Sequence, residues 1–179
     1  AKAISTSHQA DSIFYHQKLQ MKSPHLWSVS SPYLYSVLSK VFVDGKMADC
    51  YLTTMGIRSI DFDTNKGFLL NGQPFKLKGV CLHHDLGPIG AAVNVAALKR
   101  QLRLLKEMGS NAIRTSHNPP SREFLQLTDS MGFVVQVEAF DEWKVAKNLN
   151  GYHLYFDEWA EKDLRAMIRR DRNHPSVIM

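Results

Sequence analysis

The sequence predicts two unlike folds in series: part of a β-sandwich over roughly the first third, then part of an α/β fold built on a parallel sheet. Three observations carry this. Up to about residue 57, β-branched and aromatic runs are broken by turn dipeptides. Beyond that point, three segments with helical apolar spacing alternate with short apolar runs. No fixed-period repeat or low-complexity tract interrupts either pattern, and 179 residues suffice for one domain or parts of two.

In the first third, residues 34–43 and 47–55 read as strands joined by the tight-turn pair Asp44-Gly45. Residues 13–21 read as another strand, and Pro24 and Pro32 bound a polar loop around Trp27. So few strands make a thin sandwich, which implies that its first strands lie upstream of Ala1.

Asn71-Gly72 predicts a hairpin between residues 68–70 and 75–80. Asn94 can cap a helix carrying Val95, Leu98, Leu102, Leu105 and Met108, and Gly109 suits its left-handed stop. Residues 112–115 form a short strand. Ser121 opens a second helix with Phe124, Leu125 and Met131, ended by Gly132. Residues 133–137 are almost wholly apolar, as a strand covered on both faces should be. A third helix spans residues 155–172 with Phe156, Ala160, Leu164, Met167 and Ile168 on one side, and residues 176–179 begin one more strand. The order β-α-β-α-β-α-β specifies a parallel sheet, either an eight-stranded barrel or an open doubly wound sheet.

Composition narrows the partners. The net charge of +5 arises from basic runs at residues 99–106 and 165–172, which fall on predicted helices as solvated outer faces. No nucleic-acid recognition motif accompanies them, so no nucleic-acid partner is expected. Cys50 and Cys81 lie too far apart to suggest a disulfide framework or a zinc pattern. No apolar run reaches membrane-span length and no signal-peptide core opens the chain, so no membrane partner is expected; a leader removed or lying upstream stays open, as does a homo-oligomer.

The chemistry collects at three strand ends: Leu82-His83-His84-Asp85, Arg114-Thr115-Ser116-His117-Asn118 and Glu138-Ala139-Phe140-Asp141-Glu142-Trp143. Parallel strands place all three at one edge, the C-terminal one, where such folds build their sites. A bland reading competes for Asn118, which before Pro119-Pro120 could simply cap a helix. A metal site of His83, His84 or Asp85, His117 and Glu138 is a second alternative, although adjacent strand residues point to opposite faces. The mixture of bidentate donors, carboxylates, imidazoles and an exposed aromatic face suits a carbohydrate pocket.

At these residues the sequence resembles glycoside hydrolase family 2. The likeness rests on Leu26-Trp27-Ser28, Pro32-Tyr33-Leu34-Tyr35, Gly56-Ile57-Arg58, Leu70-Asn71-Gly72-Gln73-Pro74, Asn111-Ala112-Ile113-Arg114-Thr115-Ser116-His117-Asn118-Pro119-Pro120 and Arg170-Asp171-Arg172-Asn173-His174-Pro175-Ser176-Val177-Ile178-Met179. The resemblance implies the end of an immunoglobulin-like sandwich at residues 1–58. Residues 59–179 would then be the start of a TIM barrel, with its first three βα units and the beginning of strand 4. It implies retaining hydrolysis of terminal β-galactosidic or related bonds by two carboxylates. The family's acid/base Glu and its nucleophile are both expected beyond Met179, leaving no catalytic residue in this chain. His83, Arg114, His117 and Glu138 match the family's sugar subsite, and Asn118, Asp141 and Trp143 join them as candidate substrate contacts.

The third cluster lacks the Glu and His pair that helps bind magnesium in well-known bacterial members, so neither a metal nor another cofactor is expected there. A divalent ion stays a matter for test. Phe140-Asp141-Glu142-Trp143 followed by Gly151-Tyr152-His153 resembles a branch found in polysaccharide-degrading bacteria, which favours a periplasmic or secreted location over a cytoplasmic one. Against this stand the metal-dependent barrel hydrolase and a non-catalytic carbohydrate-binding or structural fragment.

Overall fold

A computed structural model describes residues 2–9 and 12–179, with side chains from Phe14 onward. β1 (Lys2–Gln9) pairs antiparallel with β2 (Ser12–Lys18), and β3 (Tyr35–Val43) with β4 (Lys46–Met55). Asp44 and Gly45 both take positive φ, 49° and 75°, in the turn between β3 and β4, the backbone that matches strand twist in a two-residue loop. These strands form two separate two-stranded sheets, and Leu38, Phe42, Tyr51 and Leu52 are exposed. Among the described residues the sandwich is therefore partial.

The loop between β2 and β3 does more than punctuate. Trp27 is fully buried, takes a backbone bond to the Ile57 carbonyl at 2.7 Å, and donates its indole N–H to the Asp129 carbonyl at 2.8 Å. Gly56 packs so closely on Trp27 and Pro175 that a Cβ there would overlap both.

β5 (Ile60–Asp63), β6 (Gly67–Leu70) and β7 (Gln73–Pro74) form an antiparallel sheet, with Asn71 and Gly72 in the expected left-handed turn. The strand expected at residues 75–80 is corrected: β7 stops at Pro74, and a new strand, β8 (Gly79–His83), starts only at Gly79. The residues between are held by a side chain rather than a ladder. The Asn111 amide accepts from the Lys78 N–H at 2.7 Å and donates to the Lys76 carbonyl at 3.0 Å.

The helices match their sequence signals. α1 (Val95–Glu107) is capped by Asn94, whose side chain accepts from the Ala97 N–H at 3.0 Å. α2 (Arg122–Met131) is capped by Ser121, which accepts from the Phe124 N–H at 3.2 Å, and it ends at left-handed Gly132. The Lys106 ammonium, its pKa lowered by burial, reaches the Met131 and Gly132 carbonyls at that end. α3 (Phe156–Asp171) departs from expectation, since Asp171 is its one buried residue and Leu164 and Ile168 are exposed. Its Met167 and Ile168 border an apolar recess with Val137, Val177 and Met179 at the open edge of the sheet.

β8, β9 (Ala112–Ser116) and β10 (Val134–Val137) lie parallel in the order β8-β9-β10. The strand expected at residues 176–179 is a single parallel bridge, Val135 to Val177, extended by the Ile178 N–H to the Val135 carbonyl and the Val137 N–H to the Met179 carbonyl. Neighbours thus follow sequence order, as in a barrel, but three strands and a bridge do not close one.

Two cores cover the two faces of this sheet. On the outer face, Ile113 and Val135 pack with Leu98 and Leu102 of α1 and Phe124 and Leu125 of α2. On the inner face, Ala112, Val134 and Ile178 pack with Trp27, Phe68 and Leu70. Each large side chain so buried contributes about 1.5–3 kcal/mol. Ala112 and Val134 open their strands, so Trp27 and the β5-β6 hairpin plug the N-terminal ends. The C-terminal ends are left for chemistry.

Candidate active site

Alternation along the strands sorts the side chains. Val80, Leu82, Ile113, Val135 and Val137 face the helices, so Cys81, His83, Arg114, Ser116, Gln136 and Glu138 face the concave side. Register continues the Thr115–Val137 and His83–Ser116 pairings, bringing His83, Ser116 and Glu138 to one level at the C-terminal edge.

The three clusters converge there. One Glu138 carboxylate oxygen accepts from the Arg114 guanidinium at 2.8 Å and lies 3.0 Å from His117 Nδ1. Arg114 Nη2 is 3.3 Å from the same nitrogen. Nδ1 cannot both donate to Glu138 and accept from Arg114, and the shorter distance assigns its proton to the Glu138 bond. His117 Nε2 is then the nitrogen open to a ligand. The His83 ring meets His117 edge-on at 5.2 Å between centroids. The Thr115 hydroxyl accepts from the Glu138 N–H at 3.2 Å, fixing the strand end from behind. The peptide joining Ser116 and His117 is cis.

Arg114 also donates to Cys81 Sγ at 3.4 Å, and this contact, with a further one from Ser116, holds the Cys81 thiol below its ordinary pKa. Asp141 lies beside the same cluster. Its carboxyl is held below the usual range first by the Lys147 ammonium at 2.8 Å, with the nearby His117 and His83 acting in the same direction. Asn118 is exposed and borders a recess with Phe140, Asp141 and Tyr152. The helix cap that Asn118 could have supplied is provided by Ser121 instead. Trp143 stands outside this ring of contacts, 64% exposed and stacked on Phe156.

Residues next to these in sequence point elsewhere. His84 Nε2 sits 2.9 Å from the Ala91 carbonyl, and Asp85 accepts from the Gly87 N–H at 2.6 Å. Both therefore serve the loop before α1, and the metal-ligand set that includes them is not assembled. Among the described residues no group of three or more His, Cys, Asp or Glu is placed to hold a metal ion.

Glu142 is buried and turned into its own loop, accepting from the Lys147 N–H at 2.5 Å and lying 2.9 Å from His153 Nδ1. Burial alone would push its carboxyl up. The Lys147 N–H, His153 and the Asn148 N–H outweigh that and hold it below the ordinary value. Sequence reasoning did not single out Cys81, Gln136 or the pairing of Glu142 with His153. Strict period-two counting along β8 and β10 marks the first two as inward-facing, whereas nothing in the sequence marks the third.

A parallel sheet wound in barrel order, with its polar side chains gathered at the C-terminal edge, is the arrangement on which α/β-barrel enzymes build their sites. Residues 63–179 match the family described as "Glycosyl hydrolases family 2, TIM barrel domain", and residues 1–58 match "Glycosyl hydrolases family 2". The chain belongs to glycoside hydrolase family 2. It is 52% identical over 167 residues to β-galactosidase BoGH2A of Bacteroides ovatus, a match covering 93% of this chain and 20% of that protein. It is 38% identical to a β-glucuronidase of Streptococcus agalactiae, covering 90% and 29% of the two chains. Among solved structures, a β-glycosidase from Bacteroides vulgatus superposes with a TM-score of 0.86 at 48% identity, covering 89% of this chain and 21% of that one. The chain thus spans about a fifth of the length of the first of these relatives.

Proposed function

We propose that these 179 residues are the sugar-holding part of an exo-acting, retaining β-glycosidase that removes terminal β-galactosyl or related residues. The observation that carries this reading is the joining of Arg114, His117 and Glu138 through one carboxylate oxygen, with His83 against His117, at the C-terminal edge of the sheet. Such a cluster presents fixed imidazole and carboxylate groups to hydroxyls, and the likeness to a β-galactosidase supplies the sugar.

Within this reading the chain binds and orients, and both reacting carboxylates are supplied by residues outside it. Retaining hydrolysis needs one carboxyl to protonate the leaving oxygen and a second to attack the anomeric carbon, roughly 5–5.5 Å away. Glu138 spends one oxygen on two donors, and Asp141, paired with Lys147 and held anionic, is a poor proton donor. Residues 1–58 form the sandwich part and residues 59–179 the barrel part of the parent enzyme, which acts outside the cytoplasm and needs no metal at the third cluster.

The test compares the parent enzyme with the isolated chain on 4-nitrophenyl β-galactoside and β-glucuronide. The parent should release 4-nitrophenol from the galactoside, with the β-anomer of the sugar as first product, and the isolated chain should hydrolyse neither. Turnover by the isolated chain that disappears in Glu138→Gln or Asp141→Asn would place a catalytic pair inside these residues. A parent that prefers the glucuronide would overturn the sugar assignment and leave the retaining chemistry intact.

A further inference from the structure

The Arg114 guanidinium is engaged at both of its terminal nitrogens, and the two engagements differ. Nη2 donates to one oxygen of Glu138 at 2.8 Å, the same oxygen that lies 3.0 Å from His117 Nδ1. Nη1 donates to Cys81 Sγ at 3.4 Å and to Ser116 Oγ at 3.5 Å. The strand register sets up this second engagement. Cys81 of β8 pairs directly with Arg114 of β9, and Ser116 lies two residues further along β9 on the same concave face. Sulfur is the acceptor, and the Arg114 contact first, then that of Ser116, draws the thiol below its ordinary pKa. One guanidinium thus ties β8 and β9 to the end of β10.

The consequence falls on Glu138. Among the described residues its second carboxylate oxygen accepts from no protein group. A guanidinium facing a carboxylate favours the bidentate fork, in which two parallel N–H bonds take up both oxygens. That fork would close the second oxygen to any ligand. Arg114 does not form it, because Nη1 is engaged by Cys81 and Ser116 while Nη2 alone meets Glu138. With His117 Nδ1 directed at the first oxygen as well, the second oxygen and His117 Nε2 are what the pair offers to hydroxyls.

We propose that Cys81 is a positioning residue for the sugar subsite: with Ser116 it keeps Arg114 on a single oxygen of Glu138, so that the other oxygen accepts from a sugar hydroxyl. The identity of the ligand rests on the reading of function above, whereas the restraint on Arg114 rests on geometry alone. A thiol suits the task because it is a weak donor and does not itself compete for the carboxylate.

The test uses the full parent enzyme and its Cys81→Ala, Cys81→Ser and Ser116→Ala variants. Alanine and serine are close in volume and differ in the acceptor, so a purely packing role would move both Cys81 variants alike. In Cys81→Ala, KM on 4-nitrophenyl β-galactoside and the inhibition constant of free galactose should rise roughly fivefold, with kcat changed less. Cys81→Ser should bring both back to within about twofold of the unsubstituted enzyme. Ser116→Ala should move them in the same direction as Cys81→Ala, and it carries the test if that variant does not fold. A crystal structure of Cys81→Ala should show Arg114 bonded to both Glu138 oxygens. Equal losses in Cys81→Ala and Cys81→Ser, no change in either alanine variant, or an Arg114 that stays on one oxygen in the crystal would overturn the inference and leave the reading of function intact. A parent that hydrolyses no β-glycoside would overturn that reading and the ligand named here, and the crystal structure would still decide whether Cys81 restrains Arg114.

Discussion

His117 and Glu138 meet at 3.0 Å across two adjacent parallel strands, and the carboxylate oxygen that joins them is also held by Arg114 at 2.8 Å. The pair fixes the imidazole tautomer, so Glu138 governs what His117 offers to a ligand. In the parent enzyme Glu138→Gln keeps the shape and removes the charge from both bonds. We expect kcat/KM on an aryl β-galactoside to drop roughly hundredfold, with the circular dichroism spectrum unchanged. Activity within twofold of the unsubstituted enzyme would mean that His117 is oriented by something else.

Glu142 should make its loop acid-sensitive. Its carboxyl is held below the ordinary value of 4.5 in the folded chain, so the stabilisation is fully present above that pH and is lost as pH falls through the lowered folded value. Hydrogen exchange at residues 143–153, corrected for its intrinsic pH dependence, should rise as pH falls below the ordinary carboxyl value and through the lowered folded one. Glu142→Gln should remove that rise. An identical profile in the variant would locate the acid response elsewhere.

Gly132 should tolerate alanine far less well than Gly45. Both have left-handed φ, 73° and 75°, which costs an alanine about 1–2 kcal/mol. A Cβ at Gly45 meets nothing within 4 Å, whereas one at Gly132 would overlap the Val29 carbonyl oxygen. Urea unfolding should therefore show Gly132→Ala less stable than Gly45→Ala by about 1 kcal/mol or more. Equal losses would show that the segment around Val29 yields without cost.

Cys81 should alkylate faster than Cys50 near neutral pH. Both thiols are exposed, but among the described residues only Cys81 receives hydrogen bonds, from Arg114 and then Ser116, that favour its thiolate. Iodoacetamide labelling followed by peptide mapping should show a several-fold difference that shrinks in Arg114→Gln. Equal labelling rates would show that the Arg114 contact is not kept in solution.

Much of the fold was legible because its signals are local. Asn94 and Ser121 cap helices and Gly132 ends one, and Asn71-Gly72 and Asp44-Gly45 turn hairpins, since each acts on backbone within a few residues of itself. The parallel order was enough to bring His83, Arg114, His117, Glu138 and Asp141 to one edge, because β-α-β winding leaves strand ends no other place to go.

What the tertiary structure alone decided concerns partners distant in sequence. The missing strand at residues 75–78 follows from the Asn111 amide, which takes up that backbone from more than thirty residues away. Trp27, expected merely in a loop, plugs the inner face because Asp129 and Ile57 receive its two N–H groups. Glu138 and Glu142 follow the same strand and are alike in type, yet one faces Arg114 across the sheet and the other turns back to His153. Sequence periodicity records which face or edge a residue occupies. A hydrogen bond records who arrives at that place through space, and for groups this short-ranged the arrival is set by how the whole chain packs.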